Sequence, residues 1–248
     1  MIDVLVLDVN ETLTDMEPLR DGFEAAGLPR HSLEPWFAEI LRDGFALTAV
    51  DAYAAFGDLA ADLLRDRFAA AGIEPVEETV RNVFSGFTRL PLHADVAPGL
   101  QRIHEAGVRI VTLTNGAAAM SENVFGNGGI LPFLEHRLDV SGPQRWKPHP
   151  DAYRYAAEVC GVPVERTGLA AVHPWDVDGA QRAGLHGFYV DRRKTPYPNS
   201  FRAPEHTVPD FTALADLLQT GQSQSNQSQA GQSQAGQSQA GQSQAKAK

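Results

Sequence analysis

The chain has 248 residues, 43% of them hydrophobic and 21% charged, with a formal net charge of −10 and a pI near 5.2. That size supports one sizeable core plus a smaller unit, and the acidic balance argues against a nucleic-acid partner. A single cysteine, Cys160, excludes an intrachain disulfide. No apolar run reaches the about 18 residues of a membrane span, and no basic, then apolar leader opens the chain, so a cytoplasmic location is expected.

Val4 to Leu7 reads as a buried strand that ends on Asp8, with the turn Val9-Asn10-Glu11-Thr12 directly after it. From about Glu17 to Gly72 the pattern is helical. Phe23, Ala26, Trp36, Phe37, Ile40, Leu41 and Phe45 recur at spacings of three and four, as do Leu59, Leu63, Leu64 and Phe68. A further helix is expected over Pro75–Ser85, and no strand is expected between about residues 15 and 90. Beyond this helical insert the character changes. A helix ending near Gly107 leads into a strand over Arg109–Leu113, closed by Thr114-Asn115-Gly116. A helix follows over Ala118–Phe125, then a short strand at Leu138–Val140 and a helix over Pro150–Cys160. Gly168–Val172 reads as a strand ending at His173-Pro174-Trp175-Asp176. A helix over Val177–Ala183, a strand over Gly187–Val190 and a short helix over Asp210–Leu218 complete the pattern. Strands alternating with helices predict an α/β fold with a parallel, helix-flanked sheet. The expected division is a core of residues 1–14 and 91–218, a helical unit of residues 15–90, and a disordered tail of residues 219–248. In that tail the unit Gly-Gln-Ser-Gln-Ala recurs without a large apolar residue to offset ordering entropy.

Ligands of open α/β sheets bind outside the carboxyl ends of the strands, so Asp8 is expected at the mouth of a site. An aspartate there can simply cap a turn. Later strand ends, however, bring Thr114, Asn115, Lys147 and Asp176 toward the same edge. A hydroxyl, an amide, an ammonium and a second carboxylate are the groups that hold and activate a carboxylate nucleophile. Pairing Lys147 with an aspartate gives a charge-assisted hydrogen bond.

The order Asp8…Thr12, Thr114-Asn115-Gly116, Lys147-Pro148, Trp175-Asp176 resembles the haloacid dehalogenase superfamily and, within it, the (S)-2-haloacid dehalogenase or type II branch. The resemblance spans about residues 2–218. It implies a Rossmann-like parallel-sheet core with a helical cap domain inserted after the first strand. It also implies that Asp8 displaces halide from C2 of a short (S)-2-haloacid, and that water hydrolyses the resulting aspartyl ester. On this reading Thr12 contacts the nucleophile, and Lys147 keeps it ionised. Asp176 orients Lys147 or the water. Asn10, Thr114, Asn115 and Tyr153 meet the substrate, a small carboxylate. No cofactor or metal is expected, and a homodimer is implied because relatives of this branch are often dimers.

Asn10 stands where phosphatases of the superfamily carry the aspartic acid that protonates a leaving alcohol. An amide cannot do this, and halide needs no proton. The chain departs from the branch in three places, one of them Asp178, a carboxylate two residues past Asp176 that is expected to stabilise the start of a helix. Phe37 stands at the position of the branch's halide-binding arginine, with Arg42, five residues on, as a candidate substitute. Ala171 and His173 replace a serine and an asparagine, and His173 is a candidate to position the water or act as a base. Two alternatives stay open: a phosphatase-like, Mg-dependent hydrolase of the same fold, and a non-catalytic binding protein that keeps the fold.

Overall fold

The computed structural model describes residues 2–74 and 76–220. Six strands form one sheet: β1 (Val4–Leu7), β2 (Arg109–Thr114), β3 (Leu134–Asp139), β4 (Thr167–Ala171), β5 (His186–Val190) and β6 (His206–Val208). Their order is β3-β2-β1-β4-β5-β6 and every neighbouring pair is parallel. β1 lies at the centre with all four residues buried, which explains its unbroken apolar run. From β1 the chain winds outward on both sides. The crevice beside β1 is therefore a topological switch point, where such sheets bind ligands. Register sets the ends of β1, β2 and β4 side by side: Leu7 pairs with Thr112 on one flank and with Ala170 on the other.

Between β1 and α5 (Val96–Glu105) the described residues contain no strand. They form α1 (Leu19–Ala25), α2 (Leu33–Ala49), α3 (Phe56–Ala70) and α4 (Glu77–Ser85). Pro75, the expected start of α4, lies outside the described residues, as does the expected tail apart from residues 219–220. The chain enters and leaves this helical segment through two passages that bond to each other. Asp15 N–H donates to Pro91 O and His93 N–H to Leu13 O, each at 2.9 Å. Trp36 fills the segment's interior; its Nε1 donates to Ala60 O at 3.0 Å and its ring meets Phe23 edge-on.

The helical segment also grips the loop that carries Lys147. Trp146 N–H donates to Thr48 Oγ1 and its indole N–H to Ala54 O, both at 3.0 Å. Gly44 makes this approach possible, since a Cβ there would stand 2.4 Å from the Trp146 ring.

Four further helices complete the fold: α6 (Glu122–Asn127), α7 (Pro150–Cys160), α8 (Pro174–Ala183) and α9 over residues 211–220. Two strands and two helix starts differ from the sequence expectation. β3 spans Leu134–Asp139 rather than Leu138–Val140, and β6 has no counterpart in the expectation. β6 is an edge strand, and β3, at the other edge, alternates more and less exposed residues, so neither shows the continuous apolar run of a central strand. Residues 118–121 are a 3₁₀ turn ahead of α6. α8 begins at Pro174, whose missing N–H and fixed φ suit a first helical turn, so Asp176 sits inside that turn.

Candidate active site

Asp8 leaves the end of β1 only 5% exposed, and its carboxylate takes three hydrogen bonds. Thr12 Oγ1 donates to Oδ2 at 2.5 Å, and Lys147 Nζ donates to Oδ1 at 2.9 Å. His173 Nδ1 lies 3.2 Å from Oδ2. The Thr12 oxygen accepts Val172 N–H at 3.1 Å, so its own proton is free to point at Asp8. This bond also ties the β1 turn to the end of β4.

Lys147 is fully buried, with Nζ shared between Asp8 and Asp176 Oδ2, the latter at 2.7 Å. Two devices hold it. The Asn115 side chain brackets its backbone, accepting Lys147 N–H at 2.8 Å and donating to Lys147 O at 3.1 Å. On the far side Tyr153 OH donates to Asp176 Oδ1 at 2.6 Å, which leaves Asp176 with both oxygens engaged. Tyr153 therefore braces Asp176 from behind and does not line the pocket, contrary to its expected contact with substrate. Part of the Asn115 amide is likewise committed to the Lys147 backbone.

Burial works to raise the Asp8 pKa. The Lys147 charge, the bond and charge of His173 and the Thr12 hydroxyl outweigh it and hold Asp8 well below the usual carboxylate range. Asp176 is pushed up, first by burial and then by the Asp8 charge, against the pull of Lys147 and Tyr153. Burial opposes the charge on Lys147 too, yet Asp176 and Asp8 raise its pKa above the ordinary lysine value. At neutral pH Asp8 is thus an anion beside an ammonium.

His173 bridges two carboxylates. Its Nε2 lies 2.8 Å from Glu11 Oε2, while Nδ1 faces Asp8. Burial lowers its pKa, but bonds to Asp8 and Glu11 and their charges outweigh this and bring it to about 9. Glu11 is the residue that sequence reasoning missed. It adopts φ 63°, a left-handed conformation that costs a non-glycine residue roughly 1–2 kcal/mol. It is held there by Arg193, which donates to Oε1 at 2.8 Å, and by His93 Nε2, 3.2 Å from its carbonyl. Its acidic side chain in a turn resembles any solvated glutamate in sequence, so no local signal marks it.

The pocket beside Asp8 holds about 10 Å³, room for roughly one water. Its polar floor is Asp8, Asn10, Thr114, Asn115 and His173, and its apolar wall is Phe37, Leu41, Phe56 and Trp175. Phe37 also lines a larger cavity of about 260 Å³, where Glu11, Met16, Val172 and Arg193 meet. Thr114 Oγ1 accepts Gly116 N–H at 2.9 Å, leaving its proton for a ligand. Arg42 is not brought to the pocket. Its side chain is 63% exposed and pairs with adjacent Asp43, because five helical residues carry it about 140° around α2 from Phe37. Asp178, expected to stabilise the start of α8, pairs with Arg182 at 2.8 Å and accepts Arg202 N–H.

A parallel doubly wound sheet with an ionised, lysine-bound carboxylate at its switch point defines a Rossmann-like α/β enzyme. The sequence matches the family described as haloacid dehalogenase-like hydrolase over residues 2–184, and the chain belongs to that family. Haloacetate dehalogenase H-2 of Moraxella sp. (strain B) is 24% identical over 219 residues, 88% of this chain and 98% of that protein. The (S)-2-haloacid dehalogenase of Xanthobacter autotrophicus is 27% identical over 187 residues, 75% of this chain and 73% of that protein. The solved L-2-haloacid dehalogenase structure from Xanthobacter autotrophicus shares the fold at a TM-score of 0.81 and 24% identity. The match covers 88% of this chain and 98% of that one. A second structure of that enzyme, with chloropropionic acid covalently bound, gives a TM-score of 0.80.

Proposed function

We propose that the protein hydrolyses short (S)-2-haloacids through an aspartyl ester on Asp8. The observation that carries this is a buried Asp8 carboxylate, kept ionised by Lys147 and Thr12, at the floor of a small pocket with an apolar wall. The family relatives named above support the substrate class.

In the first half-reaction an Asp8 oxygen attacks C2, and the carbon–halogen bond breaks with inversion. Halide leaves as an anion and needs no acid, which fits an amide rather than a carboxylic acid at Asn10. The free protons of Thr114 and of the Asn115 and Asn10 amides are the donors for the substrate carboxylate. In the second half-reaction water attacks the side-chain carbonyl carbon of Asp8. The Lys147 ammonium then faces the oxyanion of the tetrahedral intermediate in a site closed to solvent, where such a charge is worth most. Asp176 and Tyr153 keep that ammonium in position. The tight pocket favours the smallest haloacids. Residues 15–90 act as the cap whose Phe37 closes the site.

The test is chloride release from (S)-2-chloropropionate without added metal, followed by a single turnover in water enriched in oxygen-18. Label entering Asp8 supports the ester. Labelled product from unlabelled Asp8 refutes it, and cleavage of p-nitrophenyl phosphate that requires Mg2+ overturns the substrate class. The proposed homodimer is checked by light scattering. Among the described residues no helix is long and apolar enough to cross a membrane.

A further inference from the structure

We propose that His173, oriented by Glu11, is the base that activates the water hydrolysing the Asp8 ester. This rests on the ester reading above and assigns the group that completes it.

Each His173 ring nitrogen faces a carboxylate oxygen: Nδ1 faces Asp8 at 3.2 Å and Nε2 faces Glu11 at 2.8 Å. A carboxylate only accepts, so both nitrogens carry protons and the resting ring is an imidazolium. A pKa near 9 agrees with this. Asp8 approaches the ring from the end of β1 and Glu11 from the turn after it. Arg193 stands beyond Glu11, Lys147 beyond Asp8, and Asp176 beyond Lys147. The Trp175 ring packs 5.1 Å from the imidazole and fixes its plane.

Alkylation changes this balance. When an Asp8 oxygen bonds to C2, its negative charge leaves with the halide, and one of the two anions that hold the His173 proton disappears. The proton is released from Nδ1, because Glu11 still accepts the hydrogen on Nε2. The lone pair on Nδ1 is then directed at the ester. The other basic groups are committed elsewhere. Lys147 Nζ is enclosed by two carboxylates, and Asp176 has both oxygens filled by Lys147 and Tyr153. His173 is therefore the group on the pocket floor with a proton to exchange at the reacting carboxylate.

The step balances. Water loses a proton to Nδ1 as its oxygen bonds to the Asp8 carbonyl carbon. The intermediate collapses, the bond from that carbon to the substrate oxygen breaks, and the departing oxygen takes the proton back from His173. Asp8, left as the acid, returns its proton to His173 and restores the resting pair. One proton and one halide are released per hydroxy acid formed. Glu11 is a positioning residue, setting the tautomer and the ease with which the ring holds its proton.

The experiment is rapid-quench turnover of (S)-2-chloropropionate by the full chain and by H173Q, with the Asp8 peptide weighed by mass spectrometry. H173Q is expected to release about one chloride per protein and then stall, with the ester accumulated on Asp8 and steady-state turnover down roughly 100-fold or more. E11Q keeps the ring but removes the anion that holds its proton, so the rise of ester hydrolysis with pH is expected to move to lower pH. This shift is readable even if H173Q does not fold, and a purely structural contact would not produce it. Steady turnover by H173Q near the wild-type rate without an ester overturns the proposal. So does loss of the chloride burst in folded H173Q, or an unmoved E11Q profile. Absence of chloride release from the wild type overturns the ester reading itself, and with it this one.

Discussion

Replacing Lys147 with methionine removes the one ammonium between two buried carboxylates while roughly conserving side-chain length. The wild-type lysine has no exposed surface, so solvent does not screen the loss. Breaking a buried ion pair by deleting one partner costs about 3–5 kcal/mol. The two ion pairs share one nitrogen, so this cost is counted once. Thr12 and His173 still donate to Asp8, and Tyr153 still donates to Asp176. At about 2–4 °C per kcal/mol for a chain of this size, Tm falls by roughly 6–20 °C.

The sign of the pH dependence follows from linkage. In the wild type the folded Asp8 pKa lies below its unfolded value. Its stabilisation is therefore present above the unfolded pKa and is lost as the pH falls through the folded one. Asp176, pushed up by burial, opposes that in part. In K147M both carboxylates are shifted upward, and they take up protons in the folded state as the pH falls. The deficit is therefore greatest near pH 8 and shrinks toward pH 5. Urea unfolding followed by far-UV circular dichroism at both pH values measures it, with chloride release lost in parallel. A deficit below about 1 kcal/mol at pH 8, or one equal at both pH values, refutes the account of Lys147 as the charge that holds Asp8 ionised.

T12V leaves Val172 N–H without its acceptor and Asp8 with one of its three donors removed; a loss of about 1–3 kcal/mol in urea unfolding and slower alkylation in a chloride burst are expected. F37A opens the wall shared by the small pocket and the 260 Å³ cavity, so kcat/KM is expected to shift toward longer haloacids such as 2-bromobutyrate, by roughly 10-fold or more per added methylene. R42A removes an exposed partner of Asp43, so Tm and chloride release are expected to match the wild type; a raised KM would return Arg42 to the site.

β1 was legible because a central parallel strand, buried on both faces, must be continuously apolar. The acidic residue at its end then marked the site. Thr114, Asn115 and Asp176 were legible because each sits at or close to a strand end, and a parallel sheet gathers those ends at one edge; Lys147 was picked out just before a helix, and Thr12 only through the family resemblance. The helical segment was legible from its three- and four-residue periodicity. Edge strands β3 and β6 were not, since one-sided or short pairing leaves no apolar run. Residue type alone also did not decide which way a side chain turns. Tyr153 serves Asp176 rather than the pocket, Asn115 clasps the Lys147 backbone, and Arg42 faces solvent while Phe37 closes the wall. The bond that His173 donates to Glu11 joins residues 162 positions apart and depends on a left-handed turn. Local pattern records the face a residue presents to its own element. Only the assembled sheet brings two distant, ordinary polar residues within 3 Å, and the charge that each carries depends on the other.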